Sequence, residues 1–173
     1  PVSSLIKDRL PWSFTISLVS FVFVWAIGLP IGIYSATHQY SPGDHILSAA
    51  GFFGLCLPGF LLALIWMFLG IIVLNIDVGG VFSRDLMEAP WSLEKFMDYL
   101  GHLWPAVVVL GLSSTAQLQR IMRSNMLDVL GQQHITTARA KGLTERSVLF
   151  KHALKNAMIP ILTSVIVTIP FLI

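Results

Sequence analysis

A chain of 173 residues with a formal net charge of +2 is small and nearly neutral, but its mean hydropathy of +0.77 is unusually high. Hydrophobic residues make up 55% of the chain and charged residues 12%, about half the charged share of a typical soluble domain. These values exclude a soluble domain and indicate a chain whose main solvent is the lipid bilayer. The single Cys56 excludes an internal disulfide and a cysteine-rich metal site.

Four apolar stretches are candidate membrane spans, since a helix needs about 20 apolar residues to cross the hydrocarbon core. The first two, 12–36 and 48–76, carry no charged residue. The third, 103–122, turns polar in its second half, so we expect it to face protein or water on one side. The fourth, 159–173, is shorter and is expected to continue beyond the sequence given. The pattern predicts an all-α, polytopic transmembrane helical bundle, and we expect the chain to be part of one such domain.

The loops between the spans differ in the sign of their charge. Residues 120–155 carry seven Lys and Arg against two Asp and Glu, whereas 77–102 carry two against five. Because Lys and Arg are retained on the cytoplasmic side, the loop at 123–158 is predicted to be cytoplasmic and the loop at 77–102 external. Alternation then places 37–47 inside, where Asp44 is expected to be a turn residue.

The cytoplasmic loop has the pattern of two helices joined by a turn. Residues 124–141 favour a helix that Gly131 weakens, and Gly142 is well placed as the left-handed residue that ends it. Thr144 can cap the next helix, with Glu145 against the positive end of its dipole. We therefore predict two short helices meeting at an exposed elbow. A helix-turn-helix DNA reader has a similar outline, but spans on both sides argue against nucleic acid as the partner.

A polar stripe marks the third span. Ser113, Gln117, Arg120 and Ser124 stand at i, i+4, i+7 and i+11, on one side of a helix. Polar side chains within a membrane often line a water-filled path, so Ser113 and Gln117 are candidates for lining the route of a polar solute. The alternative is that Gln119, Arg120 and Arg123 simply mark the interfacial end of the helix.

Small residues and prolines interrupt the apolar runs. Gly28 and Gly32 form a small-xxx-small pair, which lets a second helix approach closely. Helices are expected to bend or end at the prolines in or beside these runs: Pro30, Pro58, Pro105, Pro160 and Pro170.

In the cytoplasmic loop the chain resembles the membrane subunits of ABC importers, in the dipeptide, oligopeptide and nickel permease family. The resemblance rests on Thr137-Ala138-Arg139-Ala140-Lys141-Gly142-Leu143 and on His152-Ala153-Leu154-Lys155-Asn156-Ala157. It extends over nearly the whole chain, through Leu5-Ile6-Lys7-Asp8-Arg9-Leu10-Pro11, Gly28-Leu29-Pro30-Ile31-Gly32, Leu57-Pro58-Gly59-Phe60, His102-Leu103-Trp104-Pro105-Ala106 and Arg123-Ser124-Asn125-Met126-Leu127-Asp128-Val129-Leu130. Thr136 stands where the general importer motif has Glu, and Leu154-Lys155 where it has Leu-Pro, as is usual in this branch.

The resemblance implies a type I importer permease fold, of which this chain would lack the first and last spans. It also implies that the elbow is a coupling helix docking on an ABC ATPase subunit, with contact residues Thr137, Ala138, Arg139, Ala140, Lys141, Gly142, Leu143 and Thr144. The other implied partners are a second permease subunit in a heterodimer, an extracytoplasmic substrate-binding protein and the lipid of a bacterial or archaeal cytoplasmic membrane.

The implied substrates are di- and oligopeptides. Nickel or another small solute is the alternative, disfavoured for nickel because the spans offer no His or carboxylate ligands. The external loop at 77–102 either receives the binding protein or forms a solvated cap with an interfacial helix at 92–99, and we favour the cap while expecting both roles to overlap.

The chain carries no phosphate-binding glycine loop ending in Lys-Ser or Lys-Thr, so ATP hydrolysis is assigned to the partner subunit and the chain is not expected to be an enzyme. Neither His-Glu-x-x-His nor Gly-x-Ser-x-Gly occurs, and the five histidines lack ligand spacing, so no cofactor or metal is expected. A membrane-embedded enzyme or a structural subunit is the competing class. The enzyme would need paired catalytic groups in the spans, and 12–36 and 48–76 contain none.

Overall fold

The computed structural model describes residues 2–73, 80–87 and 89–168, which form helices and no strand. The all-α prediction is therefore confirmed. In chain order the elements are α1 (Val2–Thr37), α2 (Pro42–Cys56), α3 (Gly59–Ile72), a 3-10 turn (Arg84–Leu86), α4 (Leu93–Leu130), α5 (Gln133–Ala140), α6 (Glu145–Ser147), a π-helical turn (Val148–Ala153) and α7 (Leu154–Thr168).

Two of the described helices are long and apolar enough to cross a membrane, namely Arg9–Thr37 within α1 and Leu93–Leu130. The α2 and α3 helices meet the same test only as a pair, and they are bent by 95° where they join. By length and composition the described residues thus hold two candidate spans, or three if the bent pair is one span.

The bend replaces the continuous span expected at 48–76. Leu57 has the extended conformation, with φ −91° and ψ 120°, that is favoured before a proline. Pro58 has no N–H to continue the helical ladder, so α2 ends at Cys56 and α3 begins at Gly59. Pro30, Pro105 and Pro160 lie inside helices that do not end there. Pro170 and residues 74–76 lie outside the described residues, as does 169–173 of the fourth expected span.

Helices α1 and α4 run parallel and in close contact, because Gly28 and Gly32 leave room on α1. A Cβ atom on Gly28 would lie 3.2 Å from the Cβ of Leu118, and one on Gly32 would lie 2.7 Å from the Cβ of Met122. Residue numbers rise together along both helices, which fixes their common direction. The predicted close approach is confirmed.

Helix α4 is longer than the expected span at 103–122. It starts at Leu93, where the Ser92 hydroxyl accepts from the Lys95 N–H at 3.2 Å, and it ends at Leu130. The expected interfacial helix at 92–99 is therefore the first part of α4.

The described part of 77–102, the loop predicted to be external, folds into a cap on one end of α1 and α4, called the outer end. The indole of Trp12 lies 5.1 Å from the ring of Phe82 and 5.9 Å from that of Trp91, measured between ring centroids. Lys95 is buried beneath this cluster and donates to the Ala89 carbonyl at 2.6 Å, while Asp98 accepts from the backbone N–H of Ser83 at 2.8 Å. These two charges are therefore satisfied within the cap. Asp77 and Glu88 lie outside the described residues.

The opposite end of the bundle, called the inner end, carries the basic loop and contains a second core. Met122 and Met126 of α4 are fully buried there against Ile135 of α5. Val148 of the π-helical turn is equally buried, and Ile161 of α7 is 1% exposed. This core joins the loop to the long helices.

Candidate functional site

The predicted elbow is a Schellman turn at the end of α5. The N–H of Gly142 donates to the Arg139 carbonyl at 2.9 Å, and the N–H of Leu143 donates to the Ala138 carbonyl at 3.4 Å. Gly142 has φ +77°, in the left-handed region, and a Cβ there would meet nothing within 4 Å. The prediction that Gly142 ends the helix is confirmed. Glycine is favoured at this position because of the left-handed backbone conformation, not because a side chain would clash with a neighbour.

The following helix begins as predicted at Thr144, whose hydroxyl accepts from the Ser147 N–H at 3.4 Å. Glu145 lies in its first turn, but its carboxylate also holds Arg139. The Nε and Nη2 atoms of Arg139 donate to the two carboxylate oxygens at 2.8 and 3.3 Å. Arg139 thus closes the elbow on itself, so of the two bases predicted to face a partner, only Lys141 has no such contact among the described residues.

Seven of the eight predicted contact residues are exposed, and Ala138 is not. Ala138 is 7% exposed and belongs to the inner core, so its side chain faces the bundle rather than a partner. Leu143, 41% exposed, is the one large apolar side chain at the tip of the elbow. An apolar tip flanked by a cation suits a docking contact with a protein groove.

The elbow is fastened to the long helices by polar contacts as well as by the core. The side-chain amide of Asn125 on α4 donates to the Ala157 carbonyl on α7 at 3.3 Å. His134 and Asn156 lie 3.2 Å apart, between their Nε2 and Nδ2 atoms, and so join α5 to α7. These contacts and the shared core join the elbow to both α4 and α7.

The polar stripe of α4 divides between two sides of the helix. The Ser113 hydroxyl donates to the Gly54 carbonyl at 3.0 Å, which ties α4 to α2. Gln117 is exposed and lines a groove of about 560 Å³ between α1, α4 and α7. The structure does not bring Ser113 into that groove, because its hydroxyl is used in helix packing.

The groove beside Gln117 has a row of hydroxyl groups that sequence reasoning missed. Ser17 and Ser20 contribute from α1, Ser114 from α4 and Ser164 from α7. The Ser20 hydroxyl is buried and has no hydrogen-bond partner among the described residues. No charged side chain lines the groove among the residues described. These serines stand on three separate helices, so no spacing within one segment could have identified them together.

An ion pair at the inner end was also missed. Asp44 is 2% exposed, and its carboxylate accepts from Nη2 of Arg123 at 2.9 Å. The same carboxylate accepts from the N–H of Tyr40 at 3.0 Å and from the Ser48 hydroxyl at 3.1 Å. As expected of a turn residue, Asp44 stands in the first turn of α2, where the Ser41 hydroxyl caps the helix by accepting from its N–H. Its carboxylate also joins α2 to α4 through Arg123. Arg123 is therefore a structural partner and not only a mark of the helix end.

The fold and the site define a helical membrane protein in which a rigid, exposed elbow projects from one end of the bundle. Residues 28–173 match the family described as binding-protein-dependent transport system inner membrane component, and the chain belongs to that family.

Individual relatives agree with this assignment. The chain is 41% identical over 163 residues to the oligopeptide transport system permease protein AppB of Bacillus subtilis (strain 168), covering 94% of this chain and 50% of that protein. It is 33% identical over 184 residues to the dipeptide transport system permease protein DppB of Escherichia coli (strain K12), covering 94% and 53%. It is 35% identical over 161 residues to the inner membrane ABC transporter permease protein YejB of Escherichia coli O157:H7, covering 91% and 44%. The chain thus spans about half the length of the curated relatives it matches.

Proposed function

We propose that this chain is part of the permease subunit of an ATP-driven importer that moves di- and oligopeptides across a bacterial or archaeal cytoplasmic membrane. Two of the relatives are named as oligopeptide and dipeptide permeases, which supports this substrate class. The proposed partners are ABC ATPase subunits, a second permease subunit in a heterodimer and an extracytoplasmic substrate-binding protein.

The observation that carries the proposal is the elbow. Its exposed residues are Thr137 and the run 139–144, and its turn is fixed by the left-handed Gly142 and by the Arg139–Glu145 pair. We propose that this surface contacts the ATPase subunit. Because the turn is held locally and the helices behind it share one core, movement of the ATPase would displace α4 and α7 together, which is a rigid-body mechanism.

The groove between α1, α4 and α7 is the proposed wall of the solute path. Its serines and Gln117 supply hydroxyl and amide groups that exchange hydrogen bonds with the amides of a peptide. Its other members are apolar, and two of them, Phe21 and Trp25, are aromatic. A path lined by neutral polar and apolar groups is suited to peptides of either charge. Ser113 is left outside this path, where it joins α4 to α2.

The elbow is tested with Gly142→Asp in the full-length subunit, assembled with its partners and reconstituted in liposomes. A side chain at φ +77° costs up to roughly 1–2 kcal/mol, with Asp at the lower end, and the added carboxylate also places a negative charge on the proposed contact surface. We expect the complex to assemble but peptide uptake and substrate-stimulated ATP hydrolysis to fall at least about tenfold.

Gly131→Asp is the matched control, because Gly131 is an exposed glycine of the same loop with φ −79°. It should transport within about twofold of the unmodified protein. Normal uptake and normal ATPase stimulation in Gly142→Asp would contradict the coupling role. Uptake of nickel but not of a labelled tripeptide by the unmodified complex would contradict the substrate.

A further inference from the structure

A small cavity of about 180 Å³ opens between α2 and α4 at the inner end of the bundle. Its rim is basic and polar, formed by Arg120, Arg123 and Ser48. Its wall is apolar, formed by Phe52 and Leu55 of α2, which are 60% and 39% exposed. The lining therefore combines cationic groups, here called the rim, with exposed apolar side chains.

The position of this rim along α4 matches the boundary of a bilayer. Asp98 lies in the cap at the outer end, and α4 carries no Asp, Glu, Lys or Arg between Asp98 and Arg120. The 21 residues between these two charges extend over roughly 30 Å at about 1.5 Å per residue. That distance equals the usual thickness of the hydrocarbon core, so the rim lies at the headgroup level of the opposite leaflet. The basic loop predicts that this leaflet is the cytoplasmic one.

The rim has more positive than negative charge. Arg120 is exposed and makes no hydrogen bond or ion pair with any residue that the structure describes. Arg123 donates to Asp44, the only carboxylate within 4.0 Å of either guanidinium in the described chain. The rim thus holds two guanidinium groups but only one neighbouring carboxylate among the described residues, and its net positive charge allows it to bind an anion.

Two of the residues that line the cavity, Gly51 and Gln119, are in close contact with each other. A Cβ on Gly51 would lie 2.9 Å from Oε1 of Gln119, so a larger residue would force this amide aside. The amide is fixed because its Nε2 donates to the Leu47 carbonyl of α2 at 3.1 Å. The space is thus defined by an ordered contact between α2 and α4.

We propose that this cavity binds the phosphate group of an anionic phospholipid from the inner leaflet. Arg120 would be the principal contact, because a guanidinium donates two parallel hydrogen bonds to phosphate oxygens. The acyl chains would lie along Phe52 and Leu55, and this apolar continuation favours a lipid over a soluble anion. Basic pockets between membrane helices on the cytoplasmic side are suited to such headgroups.

The proposal is tested by native mass spectrometry of the intact transporter in micelles containing either phosphatidylglycerol or phosphatidylcholine. We expect the unmodified complex to retain phosphatidylglycerol preferentially, and Arg120→Gln to weaken retention of one such lipid about fivefold. That factor corresponds to about 1 kcal/mol for one basic side chain near an anionic headgroup. The unmodified protein tests the lipid preference independently of any variant.

Lys151→Gln is the matched control, because Lys151 is an exposed basic residue at the same end of the bundle and does not line the cavity. It should retain phosphatidylglycerol like the unmodified complex. Equal retention of both lipids by the unmodified complex would overturn the proposal. So would an unchanged number of bound phosphatidylglycerol molecules in the Arg120→Gln variant. Displacement of the lipid by millimolar inorganic phosphate would assign the cavity to a soluble anion and overturn the lipid assignment. None of these results depends on which solute the complex transports.

Discussion

The ion pair between Asp44 and Arg123 allows a quantitative test of how the inner end of the bundle is held. The two side chains are not equally buried, since Asp44 is 3% exposed and Arg123 is 29% exposed. Arg123→Met leaves a buried carboxylate with only its bonds to Tyr40 and Ser48. Asp44→Asn leaves a guanidinium that already reaches water. The first change should therefore destabilise the protein more than the second.

Breaking a buried ion pair by removing one partner costs about 3–5 kcal/mol. We take the lower part of that range, about 3 kcal/mol, for Arg123→Met, because two hydrogen bonds to Asp44 remain. Asp44→Asn should cost about half as much. In the double variant the carboxylate and the guanidinium are both gone, so the two costs should not add, and the coupling energy should be about 1.5 kcal/mol or more.

The measurement is the apparent melting temperature of the full-length subunit in detergent, for both single variants and the double variant. At about 2.1 cal/mol/K per residue, a subunit about twice as long as this chain has an unfolding entropy of roughly 0.7 kcal/mol/K, so the Arg123→Met variant should melt roughly 4 °C lower. The pair Arg139 and Glu145 is the control, because its side chains are 43% and 62% exposed and such pairs contribute below about 1 kcal/mol. Equal, additive losses for Asp44→Asn and Arg123→Met would refute the reasoning.

Two further predictions concern packing and orientation. Gly32→Val should destabilise the α1–α4 contact by about 3 kcal/mol or more, since even a Cβ there would lie 2.7 Å from Met122, whereas Gly101→Ala, with nothing within 4 Å, should be nearly neutral in the same melting assay. In a cysteine-free background of the full-length subunit that includes Cys56→Ser, Lys141→Cys should react with a membrane-permeant maleimide but not with an impermeant one added to intact cells. Labelling by the impermeant reagent would contradict the cytoplasmic placement of the elbow.

The elbow shows what can be predicted from local sequence. Gly142 ends α5 and Thr144 starts the next helix because both effects act within a few residues of the backbone. The break before Pro58 is local in the same way. The spacing of Gly28 and Gly32 also predicts a close contact with another helix, but the sequence does not identify α4 as that helix.

Side-chain partners between helices required the tertiary structure. Asp44 and Arg123 stand 79 positions apart, and nothing in the sequence around either residue indicates that the two side chains form an ion pair. Ser113 and Gln117 belong to one stripe by spacing, yet the rotation of α4 turns Ser113 towards α2 and Gln117 towards α1 and α7. Ala138 similarly lies within the predicted contact segment but faces the core.

Hydrophobicity, turn geometry and capping are properties of short segments, so the all-α class, the apolar runs and the elbow could be predicted from the amino-acid sequence. The charge asymmetry of the loops also predicted their sidedness. The packing of the helices was needed to show which polar groups bind neighbouring helices, which line a groove and which leave surplus charge at the inner end. Those outcomes depend on the rotation and direction of helices that meet across many intervening residues.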